Sequence, residues 1–536
     1  MAERTAEEIF KEFKEQSIAD FFKKNRQMLG YAGKVHSLVT ILHEYVTNSL
    51  DACEEAGILP EVEVTVQQVG DEKYKVSVKD NGPGIPRKYI GKALGQILSG
   101  TKFHRYMQQR GQQGIGAAGC TLFSQITTGK YVFAKSATGN RDAYSCHIGI
   151  DTAHNKPIVA DMQDINGDEM HRGLYIEGEF AEVKYENSEH SVYEYLRRTA
   201  LSNPHLQIKF TDPDNKEYTF VRATDIIPER PKPTKPHPLG LTVNDLLEFA
   251  QKSESRRVSS FLLDTFARMT ANKLNEIKLN LPQFDMDKDP KKLTWIECEE
   301  LIKTFNKIKW IAPDAMFIKP IGEEQIKIAL KNIIDPEFMN VTERKPAVFR
   351  GGVPFVVEAA IAFGGNAGRK TEEGYEANVL RYANRVPLLF DSGNCAISEA
   401  VKSIDWKRYG IDLEQQPVSI LVNVSSIYIP YSGVGKESIA QEDEIIDEIK
   451  LALMETARGL QRYLSGKMHI REEESKYNVI MRYTKQLASD LSSISGIEKS
   501  KIEKDLEALV ARHYPKVSRE STNEINDGNI SENESV

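Results

Sequence analysis

Hydrophobic and polar residues alternate in two stretches near the start of the chain. In EVEVTVQQV (61–69) and KYKVSVKD (73–80) almost every second residue is apolar, and GDE separates the two stretches. A period of two predicts two strands joined as a hairpin. A helical period of apolar residues precedes them from Val35 to about Cys53, and Gly57 and Pro60 follow it as stop signals.

Further strand-like segments follow a stretch dense in glycine between Gly82 and Gly119. They lie at 131–134, 143–150, 173–180, 206–210 and 218–222. A leading helix followed by several short strands favours an α+β domain with a mainly antiparallel sheet. We assign residues 1–228 to this domain, with the polar, helix-patterned first 30 residues as an N-terminal strap.

A proline-rich segment predicts a domain boundary. Residues 226–240 hold five of the 22 prolines, and such density stiffens the chain and excludes regular structure. Apolar residues then recur with a helical period from 241 to 307. The pattern predicts a small all-helical domain at 229–308.

The pattern returns to α/β from residue 310, with strand candidates at 354–362, 387–390 and 418–429. A long helix is predicted from Lys436, because apolar residues then recur at spacings of three, four or seven along one face. These residues are Ile439, Ile446, Ile449, Leu453, Ala457, Leu460 and Leu464. We therefore expect an α/β domain at 309–470 that ends in this helix. Shorter helices at 471–515 and a disordered tail at 516–536 are expected to follow.

Composition limits the function further. The 536 residues are 40% hydrophobic and 28% charged, which suits three or four domains with buried cores. A net charge of −8 excludes a uniformly basic nucleic-acid coat but allows local basic patches. Five scattered cysteines without a C-x-x-C pair favour reduced thiols, and no apolar segment is long enough to span a bilayer. The charged start lacks the apolar core of a signal peptide, so we expect a soluble cytoplasmic protein with no membrane partner.

The segment HEYVTNSLDA, which starts at His43, carries the first candidate chemistry. Glu44 and Asn48 are four residues apart, so on a helix they share one face. A carboxylate beside an amide suits proton abstraction from water next to a hard divalent cation. Taken alone, the pair favours a solvated helix face over a catalytic site.

Two glycine-rich segments follow. Asp80, Gly82 and Gly84 lie in DNGPG, at the end of a predicted strand. A carboxylate beside a glycine turn could hold a flat ligand. The alternative is an ordinary turn at the end of a hairpin strand, because Asp-Asn-Gly is common in turns. The segment RGQQGIG (110–116) precedes a helix-like stretch. A glycine loop that opens a helix presents N–H groups to an anion, although it lacks the GK[ST] ending of a P-loop.

These three segments, in this order and within 73 residues, resemble the Bergerat nucleotide-binding fold of the GHKL ATPases. The resemblance implies that Glu44 is the general base and that Asn48 holds Mg²⁺. It implies that Asp80 reads the adenine amino group and that Gly84 allows adenine to pack closely. The ATP-binding residues implied in this way are Asn48, Asp80, Gly82, Gly84, Ser99, Thr101, Lys102, Arg110, Gly111, Gln112, Gln113, Gly114, Ile115, Gly116 and Lys436.

One position departs from the family pattern. GHKL ATPases often carry Gly-Thr after these segments, and the nearest candidate here is Gly173-Leu174. The threonine hydroxyl that supports the adenine contact in the family is then missing. Adenine binding is therefore less firmly implied than phosphate binding.

The remainder of the chain resembles the B subunits of the type IIB, archaeal-type topoisomerase VI family. The match rests on YSGVGKESIA (431–440), VLRYANRVPLLFD (379–391), Trp406-Lys407-Arg408-Tyr409 and a helical insert at the place of the family's helix-two-turn-helix domain. In that family the equivalent of Lys436 is a catalytic switch lysine in an α/β transducer. The resemblance implies ATP-driven homodimerisation, double-stranded DNA as substrate, and a separate A subunit that cuts the DNA, assembled as an A2B2 heterotetramer.

Basic residues suggest where DNA phosphates could bind. The candidates are Lys252, Arg256, Arg257, Arg268, Lys273, Arg369, Lys370, Trp406 and Lys407. For any one of them a solvated surface position is an equal alternative. The acidic run Asp285, Asp287 and Asp289 lacks the Gly and Glu of an EF-hand loop, so we interpret it as a solvated turn.

Two other functions remain open from sequence. One is a MutL-like or chaperone-like ATP-driven clamp without a DNA-cleaving partner. The other is a scaffold that binds nucleotide without turnover, which the presence of Glu44 disfavours.

Overall fold

The computed structural model describes residues 24–26, 30–100, 106–111, 114–139, 142–165, 172–372, 374–433 and 435–514. The predicted N-terminal strap lies mostly outside these residues, and the predicted disordered tail at 516–536 lies wholly outside them. The chain divides into two compact units. The first comprises residues 1–405 and 413–456, and the second comprises residues 406–412 and 457–536.

An eight-stranded sheet forms the first layer of the first unit. Its strands are β1 (Glu61–Gly70), β2 (Lys73–Asp80), β3 (Val132–Thr138), β4 (Ala143–Asp151), β5 (Lys156–Asp164), β6 (Arg172–Ala181), β7 (Gln207–Thr211) and β8 (Glu217–Phe220). Their order in the sheet is β5-β4-β3-β6-β2-β1-β7-β8, and all neighbours are antiparallel except the parallel pair β1–β7. The predicted hairpin is confirmed, because β1 pairs with β2 in antiparallel orientation, and Val62, Val64 and Val66 face the core.

Helices pack on this sheet and complete an α/β sandwich around one hydrophobic core. They are α1 (Lys34–Ala56), α2 (Ile90–Gly95), α3 (Gly116–Thr128) and α4 (Val192–Ser202). The predicted first helix is confirmed and ends at Gly57, which adopts the left-handed conformation. Its buried face includes Leu38, Leu42 and Val46, while the cavity described below lies along another face.

A small helical layer follows the proline-rich segment, which contains only a short 3-10 turn at Pro238–Gly240. Its helices are α5 (Val243–Lys252), α6 (Val258–Thr265), α7 (Ala271–Asn280) and α8 (Trp295–Lys307). Thr242 with Asp245, and Thr294 with Glu297, form capping boxes that fix where α5 and α8 begin. These helices enclose a separate core around Phe261 and Phe305, so the all-helical prediction is confirmed.

A second sheet contains the strands β9 (Phe338–Glu343), β10 (Ala347–Phe349), β11 (Val353–Phe363), β14 (Asn378–Ala383), β15 (Val386–Pro387) and β16 (Val418–Ser426). Their order is β10-β11-β16-β14-β15, and β9 also pairs with β11. Outside this sheet, β12 (Arg369–Thr371) pairs with β13 (Gly374–Glu376). The predicted strands at 354–362 and 418–429 correspond to β11 and β16. The strand predicted at 387–390 is wrong, because only Val386 and Pro387 pair with β14. Helices α9 (Glu323–Ile333) and α10 (Ala396–Lys402) belong to the same layer.

The long helix α11 runs from Asp443 to Ser495, over 53 residues. The predicted start at Lys436 is wrong, because Ile439 instead forms an isolated bridge with Tyr431 and residues 436–442 remain a loop. Acidic residues Asp443 and Glu444 occupy the first turn, where the helix dipole favours negative charge. The α+β class, with two α/β layers, a helical layer and a long C-terminal helix, is as the sequence predicts.

The described part of the second unit contains the distal part of α11, helix α12 (Lys499–His513) and a short 3-10 turn at Trp406–Tyr409. Nine apolar side chains of its two helices and their connection are exposed: Met468, Val479, Ile480, Tyr483, Leu487, Leu491, Ile494, Ile497 and Leu509. Across both units, none of the helices among the described residues is long and apolar enough to cross a membrane.

Candidate functional site

A cavity of about 710 Å³ lies in the first unit, between segments from the layer of the first sheet and segments from the layer of the second. Helix α1, the end of β2 and the glycine loop before α3 form one side of it. Segments 387–390 and 435–437 form the other side. Most of the predicted site residues line this cavity: Glu44, Asn48, Asp80, Gly84, Ser99, Gly111, Gly114, Ile115, Gly116 and Lys436.

The other predicted residues fall into two groups. Gly82 and Arg110 do not line the cavity. Thr101, Lys102, Gln112 and Gln113 lie outside the described residues, so their assignment to ATP stays a prediction.

Glu44 and Asn48 lie one turn apart on the cavity face of α1. The Glu44 side chain is half-buried against Gly116, and a Cβ at Gly116 would overlap the Glu44 carboxylate. A glycine at the start of α3 therefore allows the carboxylate to reach the first turn of that helix. Asn48 is exposed to the cavity, where its amide oxygen can serve as one ligand of a cation.

Asp80 ends β2 as a buried carboxylate, with a relative exposure of 5%. It accepts hydrogen bonds from the Ser49 hydroxyl (2.8 Å), the Gly82 amide (2.9 Å) and the Leu174 amide (3.1 Å). Burial raises the pKa of Asp80, and the three hydrogen bonds oppose that shift. Gly82 thus acts through Asp80, because its amide fixes the carboxylate and the glycine itself lies off the cavity.

The Gly173-Leu174 pair lies beside Asp80. This is the position expected if the pair corresponds to the Gly-Thr of the GHKL ATPases. Gly173 has a φ of 116°, and a Cβ there would overlap the Asp80 carbonyl. The missing threonine hydroxyl has a counterpart in Ser49, which sequence analysis missed. The available signal was its place directly after Asn48, which turns it to the buried side of α1.

Gly84 adopts a left-handed conformation with a φ of 69°. A Cβ at this position would overlap the carbonyl oxygen of Ala137 in β3. The requirement for glycine therefore comes from the neighbouring strand, in addition to any close approach of a ligand. Gly84 still lines the cavity.

The loop before α3 brings backbone groups to the cavity. Gly114 is left-handed, with a φ of 61°, and Ile115 precedes the helix without any side-chain cap. The first N–H groups of α3 are therefore available to an anion, and the helix dipole adds to the attraction. This is the chemistry expected of a phosphate-binding loop.

Arg110 is a buried anchor and does not contribute its side chain to the cavity. Its guanidinium donates to Asp51 (2.8 Å), to both oxygens of Glu54 (2.7 and 2.9 Å) and to Asn203 (2.7 Å). Burial alone would raise the pKa of Glu54, but the Arg110 guanidinium and His205 hold it well below its usual range. The Arg110 guanidinium thus lies off the cavity, and the assignment of Arg110 to ATP binding stays a prediction.

Replacing Arg110 by alanine is expected to destabilise the first unit by about 3–5 kcal/mol, because the mostly buried carboxylates of Asp51 and Glu54 would lose its guanidinium. Thermal unfolding of the apo chain measures the loss. Lys327, which pairs with Glu323 and Glu324 on the surface, offers a control. Lys327→Ala is expected to cost less than about 1 kcal/mol. Equal shifts for the two variants would contradict the anchoring role.

Lys436 approaches the cavity from the other side, in a loop before α11. It has a left-handed φ of 56°, and its Nζ donates to the Arg110 carbonyl oxygen at 3.4 Å. Ser432 and Ser438 close the base of the loop through the hydrogen bond from Ser432 N to Ser438 O (3.0 Å). The lysine thus lies beside the phosphate-binding loop while belonging to the second sheet's layer.

The residues proposed for DNA contact differ in exposure. Lys252, Arg256, Arg257, Arg268, Lys370 and Lys407 are exposed, and Arg257 pairs with Asp287 at 3.3 Å. The other three are engaged within the protein. Trp406 is buried, Lys273 binds Glu276 and the Lys309 carbonyl, and Arg369 pairs with Glu189 and Glu376. The assignment of these residues to DNA stays a prediction.

No group of three or more His, Cys, Asp or Glu side chains among the described residues could hold a metal ion by itself. Asp285 accepts from the Asp287 amide and Asp289 caps a short 3-10 turn, which is ordinary turn chemistry. All five cysteines are buried as free thiols.

Two family models match parts of the chain. Residues 33–150 match the family model "Histidine kinase-, DNA gyrase B-, and HSP90-like ATPase". Residues 313–476 match "Topoisomerase VI B subunit, transducer". The chain is 40% identical over 562 residues to the B subunit of type 2 DNA topoisomerase 6 from Thermococcus sibiricus, covering 96% of this chain and 98% of that one. It is 43% identical over 514 residues to the B subunit of the same enzyme from Methanothermobacter thermautotrophicus, covering 95% and 98%.

Among solved structures, the chain is similar to the ATPase region of Saccharomyces cerevisiae topoisomerase II bound to ICRF-187. The identity is 10% and the TM-score is 0.39, with coverage of 84% of this chain and 98% of that one.

Proposed function

The chain belongs to the family of type 2 DNA topoisomerase 6 B subunits, and we propose that it uses ATP binding and hydrolysis to gate the passage of one DNA duplex through another. It is the ATPase subunit of a type II topoisomerase. The observation that carries the proposed mechanism is the shared cavity. Glu44, Asp80 and the glycine loop reach it from one layer, and Lys436 reaches it from another.

The reaction proposed for this cavity is hydrolysis of the ATP γ-phosphate. Glu44 accepts a proton from the attacking water, for which its half-buried carboxylate next to α3 is suitably placed. Asp80 accepts a hydrogen bond from the adenine amino group, held in position by Ser49 and by the Gly82 and Leu174 amides. The N–H groups at the start of α3 bind the phosphates.

Magnesium fits this donor set. Mg²⁺ takes oxygen ligands and commonly binds through one or two protein groups together with substrate phosphates. Asn48 would supply such an oxygen from α1. The ion would neutralise phosphate charge as the terminal phosphate is released.

Lys436 connects hydrolysis to the rest of the chain. Its ammonium group binds the γ-phosphate while its loop leads directly into α11. Loss of the phosphate removes this contact of Lys436, so the transducer is free to move relative to the nucleotide. The motion passes along α11, which is 53 residues long.

The partners follow from the same scheme. Two copies dimerise through their ATPase domains when ATP is bound, and the N-terminal strap assists. A separate A subunit cuts both strands of double-stranded DNA, and the complete enzyme is an A2B2 heterotetramer in the cytoplasm. Exposed apolar residues on α11 and α12, among them Leu487, Leu491 and Ile494, offer a surface for the A subunit.

Supercoil relaxation tests this function against the clamp and the scaffold. The chain with an A subunit is expected to relax supercoiled plasmid only when ATP is present. The chain alone is expected to hydrolyse ATP and leave the plasmid supercoiled. A MutL-like or chaperone-like clamp would hydrolyse ATP without relaxation in either mixture, and a scaffold would bind ATP without hydrolysis.

A further inference from the structure

The loop that carries Lys436 is attached to helix α1 by a contact between side chains. The Nε2 atom of His36 pairs with the carboxylate of Glu437, the residue directly after Lys436. His36 lies in the first turn of α1, the helix that also carries Glu44 and Asn48. The side chains of the pair are mostly buried, with exposures of 14% for His36 and 25% for Glu437.

Both ring nitrogens of His36 face acceptors. Nε2 faces Glu437, and Nδ1 lies 3.2 Å from the carbonyl oxygen of Ala32. Since a carbonyl and a carboxylate can only accept, both contacts are hydrogen bonds when the ring carries both protons. The geometry therefore suits an imidazolium cation paired with a carboxylate.

The helix itself gives no reason for a cation at this position. Positive charge in the first turn of a helix opposes the helix dipole, so an imidazolium there is unfavourable to α1 alone. The favourable contact is the one with Glu437. It joins α1 to the loop of Lys436 rather than stabilising either element by itself.

An aromatic stack holds the His36 ring in place. The ring of Phe390 lies 3.9 Å from the His36 ring, centroid to centroid, and the ring of His190 stacks on Phe390 at 5.2 Å. Phe390 also lines the cavity. The rotamer of His36 is therefore restricted by packing, and its Nε2 remains directed at Glu437.

The loop has a second attachment on its far side. Ser438 donates to the Asp391 carboxylate at 2.6 Å, and Asp391 follows Phe390 directly. Glu437 and Ser438 are thus held by neighbouring partners, and Lys436 is the next residue before them. Fixing these two residues limits the positions from which Lys436 can reach the cavity.

We infer that His36 is a positioning residue for Lys436, acting through Glu437 to hold the lysine loop against the nucleotide cavity. The inference rests on the proposed hydrolysis of ATP at this cavity. His36 and Glu437 also line the cavity, and the scheme assigns neither of them a bond to the nucleotide. Loss of His36 should slow turnover without weakening ATP binding, because Asp80 and the glycine loop remain intact.

Steady-state ATPase kinetics of the full chain test the inference. His36→Gln and Glu437→Gln are each expected to lower kcat by about fivefold to tenfold, with KM for ATP changed less than about twofold. The double variant is expected to be no slower than either single variant, because both remove one contact. His36→Lys restores a cation opposite Glu437 and is expected to recover at least half of the lost kcat.

His154→Gln is the matched control. This histidine also pairs with a carboxylate, that of Asp151 at the surface, but it does not line the cavity, so its replacement is expected to leave kcat unchanged. Equal losses of kcat for His154→Gln and His36→Gln would overturn the inference. Parallel changes in KM and thermal stability, without rescue by lysine, would also overturn it. Glu44→Ala, measured alongside, separates the two claims. Turnover that depends on Glu44 but not on His36 or Glu437 defeats this inference and leaves the proposed function standing.

Discussion

Replacing Glu44 by alanine is expected to lower kcat for ATP hydrolysis by about 10²-fold to 10⁴-fold, the contribution typical of a general base. The affinity for ATP is expected to stay within about threefold. The groups that would bind adenine and phosphates are Asp80 and the start of α3, and neither depends on the Glu44 carboxylate for its position.

Single-turnover hydrolysis and equilibrium binding of a fluorescent ATP analogue measure the two quantities separately. Glu63→Ala is a suitable control, because Glu63 lies on the exposed face of β1 and pairs with Lys79 at the surface. Hydrolysis at the wild-type rate by Glu44→Ala would remove Glu44 from the role of base. Loss of ATP binding in that variant would also contradict the assignment, since it would indicate a collapsed site.

Replacing Lys436 by alanine is expected to lower kcat by about 10²-fold to 10³-fold, the typical cost of removing one preorganised donor from a transition state. The lysine lies beside the phosphate loop, with its Nζ 3.4 Å from the Arg110 carbonyl. Relaxation of supercoiled DNA is expected to fall at least as far, because the same residue would report phosphate release to α11.

Parallel assays of ATP turnover and plasmid relaxation check this prediction. Lys402→Ala, an exposed lysine in the last turn of α10, serves as the control for loss of a positive charge in the same layer. Relaxation at the wild-type rate by the Lys436 variant, with the A subunit present, would contradict the coupling role.

Much of the candidate site could be predicted because its spacing is local. Glu44 and Asn48 share a face of α1 through the helical period, and Asp80 ends a strand whose alternation is clear in the sequence. The glycines of the loop before α3 mark a backbone that must approach an anion. Each of these signals is contained within a few residues, so one sequence is sufficient to find it.

Local patterns predict less where tertiary contacts decide. Lys436 lies in a loop because Tyr431 and Ile439 pair across it, and no local pattern predicts that bridge. Arg110 is turned away from the cavity because Asp51 and Glu54 on α1 bind its guanidinium. Arg110 lies far from Asp51 and Glu54 in the chain. The residues around Lys436 have a local pattern that fits a helix and a loop equally.

Burial explains the remaining differences. Ser49 was missed because a serine within a helix has no distinctive spacing, and its role appears only once the Asp80 carboxylate lies 2.8 Å away. Trp406 was proposed for DNA contact because it stands beside Lys407, whereas its ring is buried. The strand predicted at 387–390 is instead a segment that lines the cavity, where Phe390 meets His36.

The change in linking number of a single purified DNA topoisomer tests the central claim most directly. With the chain, an A subunit and ATP, products are expected to differ from the starting topoisomer by multiples of two, because each cycle passes one duplex through a double-strand break. The same mixture with Glu44→Ala is expected to yield no repeated cycles. Products that differ by single steps, or repeated relaxation without ATP, would contradict the account.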